Sequence, residues 1–204
     1  MMSASSSLPG AATVPQVDLP RARRAVAELL VALGYDPDSE TLRSTPNRVA
    51  EFALEAWSGA RPLPVLEPDG LMPAPGTDPV VLDRIPFRSV CEHHLLPFSG
   101  TATVVYRPGR SIVGLGRIVE AVDLVARRLQ VQERLVEQIA DVIEDGLHPE
   151  AVLVLTRATH SCLWARGVGR EDTGFTATAT RGRWAGPEGP GEALALLRDG
   201  TDAP

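Results

Sequence analysis

Apolar positions recur with a helical period from Pro20 onward: Val26, Leu29, Leu30 and Leu33 fall on one face, and Gly34 is placed to end the helix. A second helix is expected from Thr45, with Pro46 at its first position, burying Val49, Phe52, Ala53, Ala56 and Trp57 before Gly59. Between Arg61 and Pro79 the prolines are frequent and periodicity vanishes, so the stretch reads as a loop or crossover. Val80–Val90 and Gly100–Tyr106 then read as strands, the second through its run Thr101-Ala102-Thr103-Val104-Val105. After a turn at Pro108-Gly109, Ile112-Val113 leads into Gly114-Leu115-Gly116. Ile118, Val122, Val125 and Leu129 line the face of one helix; Leu135, Ile139, Val142 and Ile143 line the next, which Gly146 can close. Ala151–Thr159 and Phe175–Arg183 read as the last two strands. This ββααββ order predicts an α+β fold, an antiparallel sheet with helices on one face.

The pattern divides the chain into a flexible arm over 1–19, a helical region over 20–60, a Pro-rich connection over 61–79, the main domain over 80–184 and a flexible tail over 185–204. The tail is expected to hold at most a short helix over Glu192–Leu197, and no internal repeat is present. Composition changes this picture little. With 204 residues, 44% of them hydrophobic, the chain can bury a full core. It has neither an apolar run long enough to span a membrane nor the start of a signal peptide, so a cytoplasmic location is expected. A net charge of −6 argues against general nucleic-acid binding, although a small anion needs only a local basic pocket. All twenty basic residues are arginine, which reads as compositional bias.

Chemistry concentrates at Cys91-Glu92-His93-His94, flanked by apolar strand-like runs, and at His160 and Cys162. A catalytic zinc takes three protein ligands from thiolates and imidazoles and keeps one position open for water. Cys91, His94 and Cys162 can supply them if the chain turns after Cys91. His93 and His160 would then be close but unligated, as acid and base work requires. On spacing alone, a disulfide between the two cysteines, or buried cysteines beside a core histidine, are alternatives.

Four blocks taken together resemble the signature of the GTP cyclohydrolase I family: Ser89-Val90-Cys91-Glu92-His93-His94-Leu95-Leu96-Pro97-Phe98, Gln130-Val131-Gln132-Glu133-Arg134-Leu135, His160-Ser161-Cys162 and Ala165-Arg166-Gly167-Val168. Thr45-Pro46-Asn47-Arg48 resembles an upstream block of the same family, and the match covers roughly residues 20 to 184. The resemblance implies the tunnelling fold, in which sheets from several subunits join into a barrel, usually in a homodecamer. It implies zinc on Cys91, His94 and Cys162, proton transfer by His93 and His160, and attack of water at C8 of guanine with loss of formate. Gln132 and Glu133 would read the guanine edge, and Arg48, Arg117 and Arg166 would hold phosphates.

The departures from the family pattern fall on the phosphate positions. Glu51 stands where the family usually has lysine, and Gly116-Arg117-Ile118-Val119-Glu120 stands where it has Ser-Lys-x-x-Arg. Losing two charge-assisted hydrogen bonds to phosphate costs roughly 3 to 6 kcal/mol, or about a hundredfold to ten-thousandfold in affinity. The bland expectation is that Glu51 pairs with Arg48 and that Glu120 stabilises the N-terminus of its helix. The resemblance therefore supports two substrates: GTP, or a guanine nucleotide or nucleoside with fewer phosphates. A non-catalytic paralogue that keeps zinc and nucleotide binding as an assembly or regulatory subunit is the alternative from a different class.

Overall fold

The structure, a computed structural model, describes residues 17–57, 63–66, 70–166, 169, 173–186 and 189–199. The expected arm up to residue 16, and Gly59, lie outside the described residues. The chain divides into two compact units, the first ending at Leu54 and the second running over Glu55–Pro204.

The first unit begins with α1, Leu19–Ala32, capped by the Asp18 carboxylate, which accepts from the Arg21 N–H at 2.8 Å. Its end is a glycine-dependent stop: Tyr35 N–H reaches Leu30 O and Gly34 N–H reaches Val31 O, both at 2.9 Å, with Gly34 at φ +85°. The second helix, α2, spans Thr45–Trp57. Its expected apolar face is not buried: Val49 and Phe52 are exposed, and Ala50 is the buried residue of the helix. Leu29 and Leu33 are likewise exposed. Periodicity located this stripe without specifying what covers it.

The second unit is built on a five-stranded sheet. Its strands are β2 (Val80–Cys91), β3 (Leu96–Arg107), β5 (Leu129–Gln130), β6 (Ala151–His160) and β7 (Gly174–Gly182), in the order β5-β2-β3-β6-β7. All neighbours are antiparallel except β2 and β5, a short parallel pair that adds to the expected pattern. Within the stretch expected to be loop, β1 (Leu71–Pro73) pairs with β4 (Ser111–Val113). These three-residue strands are too short for alternation to reveal.

Two helices cover one face, α3 (Leu115–Ala126) over β2 and α4 (Gln132–Leu147) over β6 and β7. Ile118, Val122 and Val125 of α3 and Leu135, Ile139 and Ile143 of α4 are fully or almost fully buried against Val104, Tyr106, Val152 and Val154. At about 1.5–3 kcal/mol for each large apolar side chain, this layer holds the domain together. Leu129, expected on the α3 face, lies beyond the end of that helix, in β5.

The tail differs from expectation. Trp184 is fully buried, and α6 (Gly189–Asp199) packs against it through Ala193, Leu194 and Leu197, together with Val105, Ala151 and Leu153. Side chains alternate across a strand, so Val105 and Leu153 face away from Val104 and Val154. Thus α6 covers the sheet face opposite α3 and α4. Gly189, Pro190 and Gly191, part of the stretch that read as flexible tail, open this helix, where proline suits it. No described helix is long and apolar enough to cross a membrane.

Candidate active site and metal centre

Strand register brings the chemistry to one end of the sheet. Cys91, the last residue of β2, pairs with Leu96 at the start of β3 and with Gln130 in β5. Phe98 pairs with His160, the last residue of β6, and Thr159 pairs with Gly174, the first of β7. The close approach of β3 and β6 depends on Gly100, where a Cβ would sit 1.9 Å from the Arg157 carbonyl oxygen.

The chain turns after Cys91 as expected. His94 N–H and Leu95 N–H both point to Cys91 O, at 3.4 and 2.9 Å, and Leu95 takes the left-handed conformation at φ 56°. His94 Nδ1 therefore lies 3.8 Å from Cys91 Sγ. A four-residue helix, α5 (Ser161–Trp164), follows β6 directly and carries Cys162 to the same place. The ligand atoms of Cys91, His94 and Cys162 all lie within 4.8 Å of one another, and both cysteines are free thiols. Ligands of a tetrahedral zinc stand roughly 3.5–3.8 Å apart, so two sulfurs and an imidazole at these separations fit such an ion. Burial, with Cys91 beside it, pushes the Cys162 thiol up, and the positive charge of Arg166 partly offsets this.

His93 lies edge-on to His94 with ring centroids 6.1 Å apart, its Nδ1 3.9 Å from Cys91 Sγ. His160 stacks on Phe98 at 4.5 Å with the planes only 4° apart, and meets the edge of Phe175 at 6.0 Å. This burial lowers the His160 pKa, while the negative charge of Glu133 acts to raise it. Glu133 itself is exposed in the first turn of α4. With Val131, Arg134, Phe175 and Thr176 it borders an open pocket of about 540 Å³.

Gln132, expected to read the guanine edge, has its side chain turned inward. It is 1% exposed, and its amide is engaged within the protein, with Oε1 2.8 Å from His160 Nε2 and Nε2 directed at Thr156 and Phe175. Gly116, Arg117 and Glu120 lie on α3, where Arg117 pairs with Glu120 at 3.2 Å. Because α3 starts at Leu115, Glu120 is past the first turn and does not serve the helix N-terminus as expected. Arg48 and Glu51 lie in the first unit, and Glu51 pairs with Arg23 of α1 at 3.2 Å instead of with Arg48.

The turn that carries Cys91 and His94 is braced from α4. Arg134 donates to the Glu92 carboxylate, to Gln130 Oε1 at 2.9 Å and to Leu129 O at 2.9 Å, while Glu92 N–H donates to Gln130 O. The Arg134 guanidinium holds the Glu92 carboxyl below its ordinary pKa. Sequence reasoning quoted Glu92 and Arg134 within motif blocks without pairing them. Thr156 and Phe175 around His160 carried no signal, and Phe98 only a place in a motif block, because only the register of β3, β6 and β7 assembles them.

The family model described as GTP cyclohydrolase I matches residues 22–196. GTP cyclohydrolase 1 of Leifsonia xyli is 42% identical over 193 residues, covering 90% of this chain and 97% of that protein. GTP cyclohydrolase 1 of Deinococcus radiodurans is 44% identical, covering 76% and 72%, and that of Mycobacterium ulcerans is 43% identical, covering 85% and 87%. A solved structure, the archaeosine synthase QueF-Like in the apo form, overlaps 52% of this chain at a TM-score of 0.44 and 19% identity, a likeness too slight to bear on the assignment.

Proposed function

Because the chain belongs to the GTP cyclohydrolase I family, we propose that it opens the imidazole ring of GTP at C8, releases formate and forms 7,8-dihydroneopterin triphosphate in pterin and folate synthesis. The observation that carries this reading is the convergence of Cys91, His94 and Cys162, with His160 two residues from the last of them, at one end of the sheet. These three side chains would hold zinc, which when bound lowers the pKa of water enough to make a nucleophile near neutral pH. His160 and His93 pass protons during ring opening and formate release. Glu133 accepts hydrogen bonds from N1 and the exocyclic amine of guanine, a pair of donors that adenine lacks. Arg166 and Arg117 are the basic side chains of the second unit for the phosphates, and Arg48 of the first unit keeps that role from the sequence resemblance alone. A cytoplasmic homodecamer with the tunnelling fold belongs to the same reading, and light scattering measures its mass.

The ion pairs Arg117–Glu120 and Arg23–Glu51 favour a second reading, a substrate with fewer phosphates. A guanidinium already paired with a carboxylate offers less to an anion, although exposed pairs are worth only about 0–1 kcal/mol and a triphosphate can displace them. Turnover of GTP, GDP, GMP and guanosine by zinc-loaded protein, followed by formate release and pterin fluorescence after oxidation, separates the readings. Preference for GTP supports the first, and preference for GMP or guanosine supports the second. Stoichiometric zinc with no turnover of any of the four would mean a non-catalytic paralogue.

A further inference from the structure

We propose that Gln132 is a positioning residue that holds His160 in one ring orientation and one tautomer, with the proton on Nε2 and Nδ1 bare. The proposal rests on the reading that His160 moves protons in the reaction. Hydrogen-bond direction fixes the tautomer. A carbonyl oxygen can only accept, and the Gln132 amide nitrogen faces two of them, Thr156 O at 3.2 Å and Phe175 O at 3.1 Å, as well as Thr156 Oγ1 at 2.9 Å. The NH2 end of the amide must point there, because the reversed amide would set oxygen against oxygen. Its Oε1 then faces His160 Nε2 at 2.8 Å, and an amide oxygen has no proton to give. The proton in that bond therefore belongs to the imidazole Nε2. A neutral imidazole has one protonated nitrogen and one bare one, so Nδ1 is bare.

The surroundings keep this arrangement in place. Phe98, parallel to the ring at 4.5 Å, and Phe175, edge-on at 6.0 Å, define its plane. Gln132 and Thr156 are 1% and 0% exposed, so water does not compete for the amide. All three acceptors of the amide nitrogen lie in β6 and β7, so the sheet sets the direction of a side chain on α4. Gln132 is committed to His160, and its neighbour Glu133 is the exposed side chain of that turn that can meet the guanine edge.

The test uses full-length, zinc-loaded protein labelled with 15N in the imidazole rings. With four histidines in the chain, solid-state spectra recorded above the titration range of the ring isolate His160 by comparison with His160→Asn. A proton on Nε2 and a bare Nδ1 are expected; a proton on Nδ1 would overturn the proposal. In Gln132→Met, at unchanged zinc content, the single tautomer becomes a mixture, kcat falls about 10–100-fold and KM for GTP is little changed. A raised KM with kcat unchanged would make Gln132 a substrate contact and overturn the assignment. Should Gln132→Met not fold, Thr156→Val loosens the amide with little change in volume and is expected to lower kcat a few-fold at constant KM; unchanged kcat there counts against the proposal. The tautomer is read without substrate. Absence of GTP turnover in a protein with the expected tautomer would therefore reject the proposed function, and with it the kinetic role of Gln132, while leaving the tautomer assignment standing.

Discussion

At the scale of single residues, Cys162 and Glu133 carry the most weight. Cys162 is one of the three side chains that could hold a metal ion and comes from a segment far in sequence from the other two. Cys162→Ser is expected to lower zinc affinity by at least about a hundredfold, more than the loss of an outer-shell partner, and to lower formate release with it. Metal analysis after dialysis against a chelator checks this. Glu133 sits in a first turn whose other polar side chains are engaged within the protein, Gln132 with His160 and Arg134 with Glu92. Glu133→Gln removes a charge-assisted acceptor worth about 1.5–3 kcal/mol. It is expected to reduce kcat/KM for GTP by about tenfold to a hundredfold, read from initial rates, with zinc content unchanged. Both residues stand in motif blocks of the sequence, where residue type and order are visible without knowing the packing. The partner of Gln132 was not legible, since a buried glutamine is chosen by neighbours that arrive from other strands.

At the scale of elements, the site is a junction between the β2–β3 turn and the start of α4. Arg134 ties them by holding the Glu92 carboxylate, the Gln130 side chain and the Leu129 carbonyl at once. Arg134→Met keeps much of the aliphatic bulk and loses these bonds. We expect zinc affinity about tenfold to a hundredfold weaker, measured by competition with a chromophoric chelator, with the melting temperature of the zinc-free protein moved far less. An equal loss of apo-protein stability would mean that Arg134 braces the fold and not the metal-binding turn. Helical periodicity located α4, and alternation located β2 and β3. The parallel contact of β5 with β2, on which this bracing depends, involves too few residues to leave a pattern.

At the scale of the whole molecule, the second unit has apolar layers on both faces of its sheet. The layer beneath α6 is small, and fully buried Trp184 is its largest member. Trp184→Ala is expected to cost about 3–5 kcal/mol of stability in chemical denaturation, a penalty inconsistent with a disordered tail. The antiparallel sheet of β2, β3, β6 and β7 and the α3–α4 layer follow the expected α+β plan, whereas the α6 layer does not. A Gly- and Pro-rich stretch reads locally as flexible whether or not a hydrophobic surface awaits it. The first unit shows the converse. Its two helices have the expected periodicity, yet Leu29, Leu33, Val49 and Phe52 remain exposed, so amphipathicity alone did not say where the stripe is buried.

By itself, the sequence determined the family and the main strands and helices, and it singled out the candidate metal-binding and proton-transferring side chains. Each of these is written locally, in periodicity or in a short motif whose chemistry requires particular residue types. Only the tertiary structure decided that Gln132 serves His160, that Glu92 is held by Arg134, and that α6 covers the second face of the sheet. These are contacts between residues distant in the chain. The register of β3 against β6 and of β6 against β7 sets them, together with the desolvation of whatever that register buries, and no local pattern encodes either.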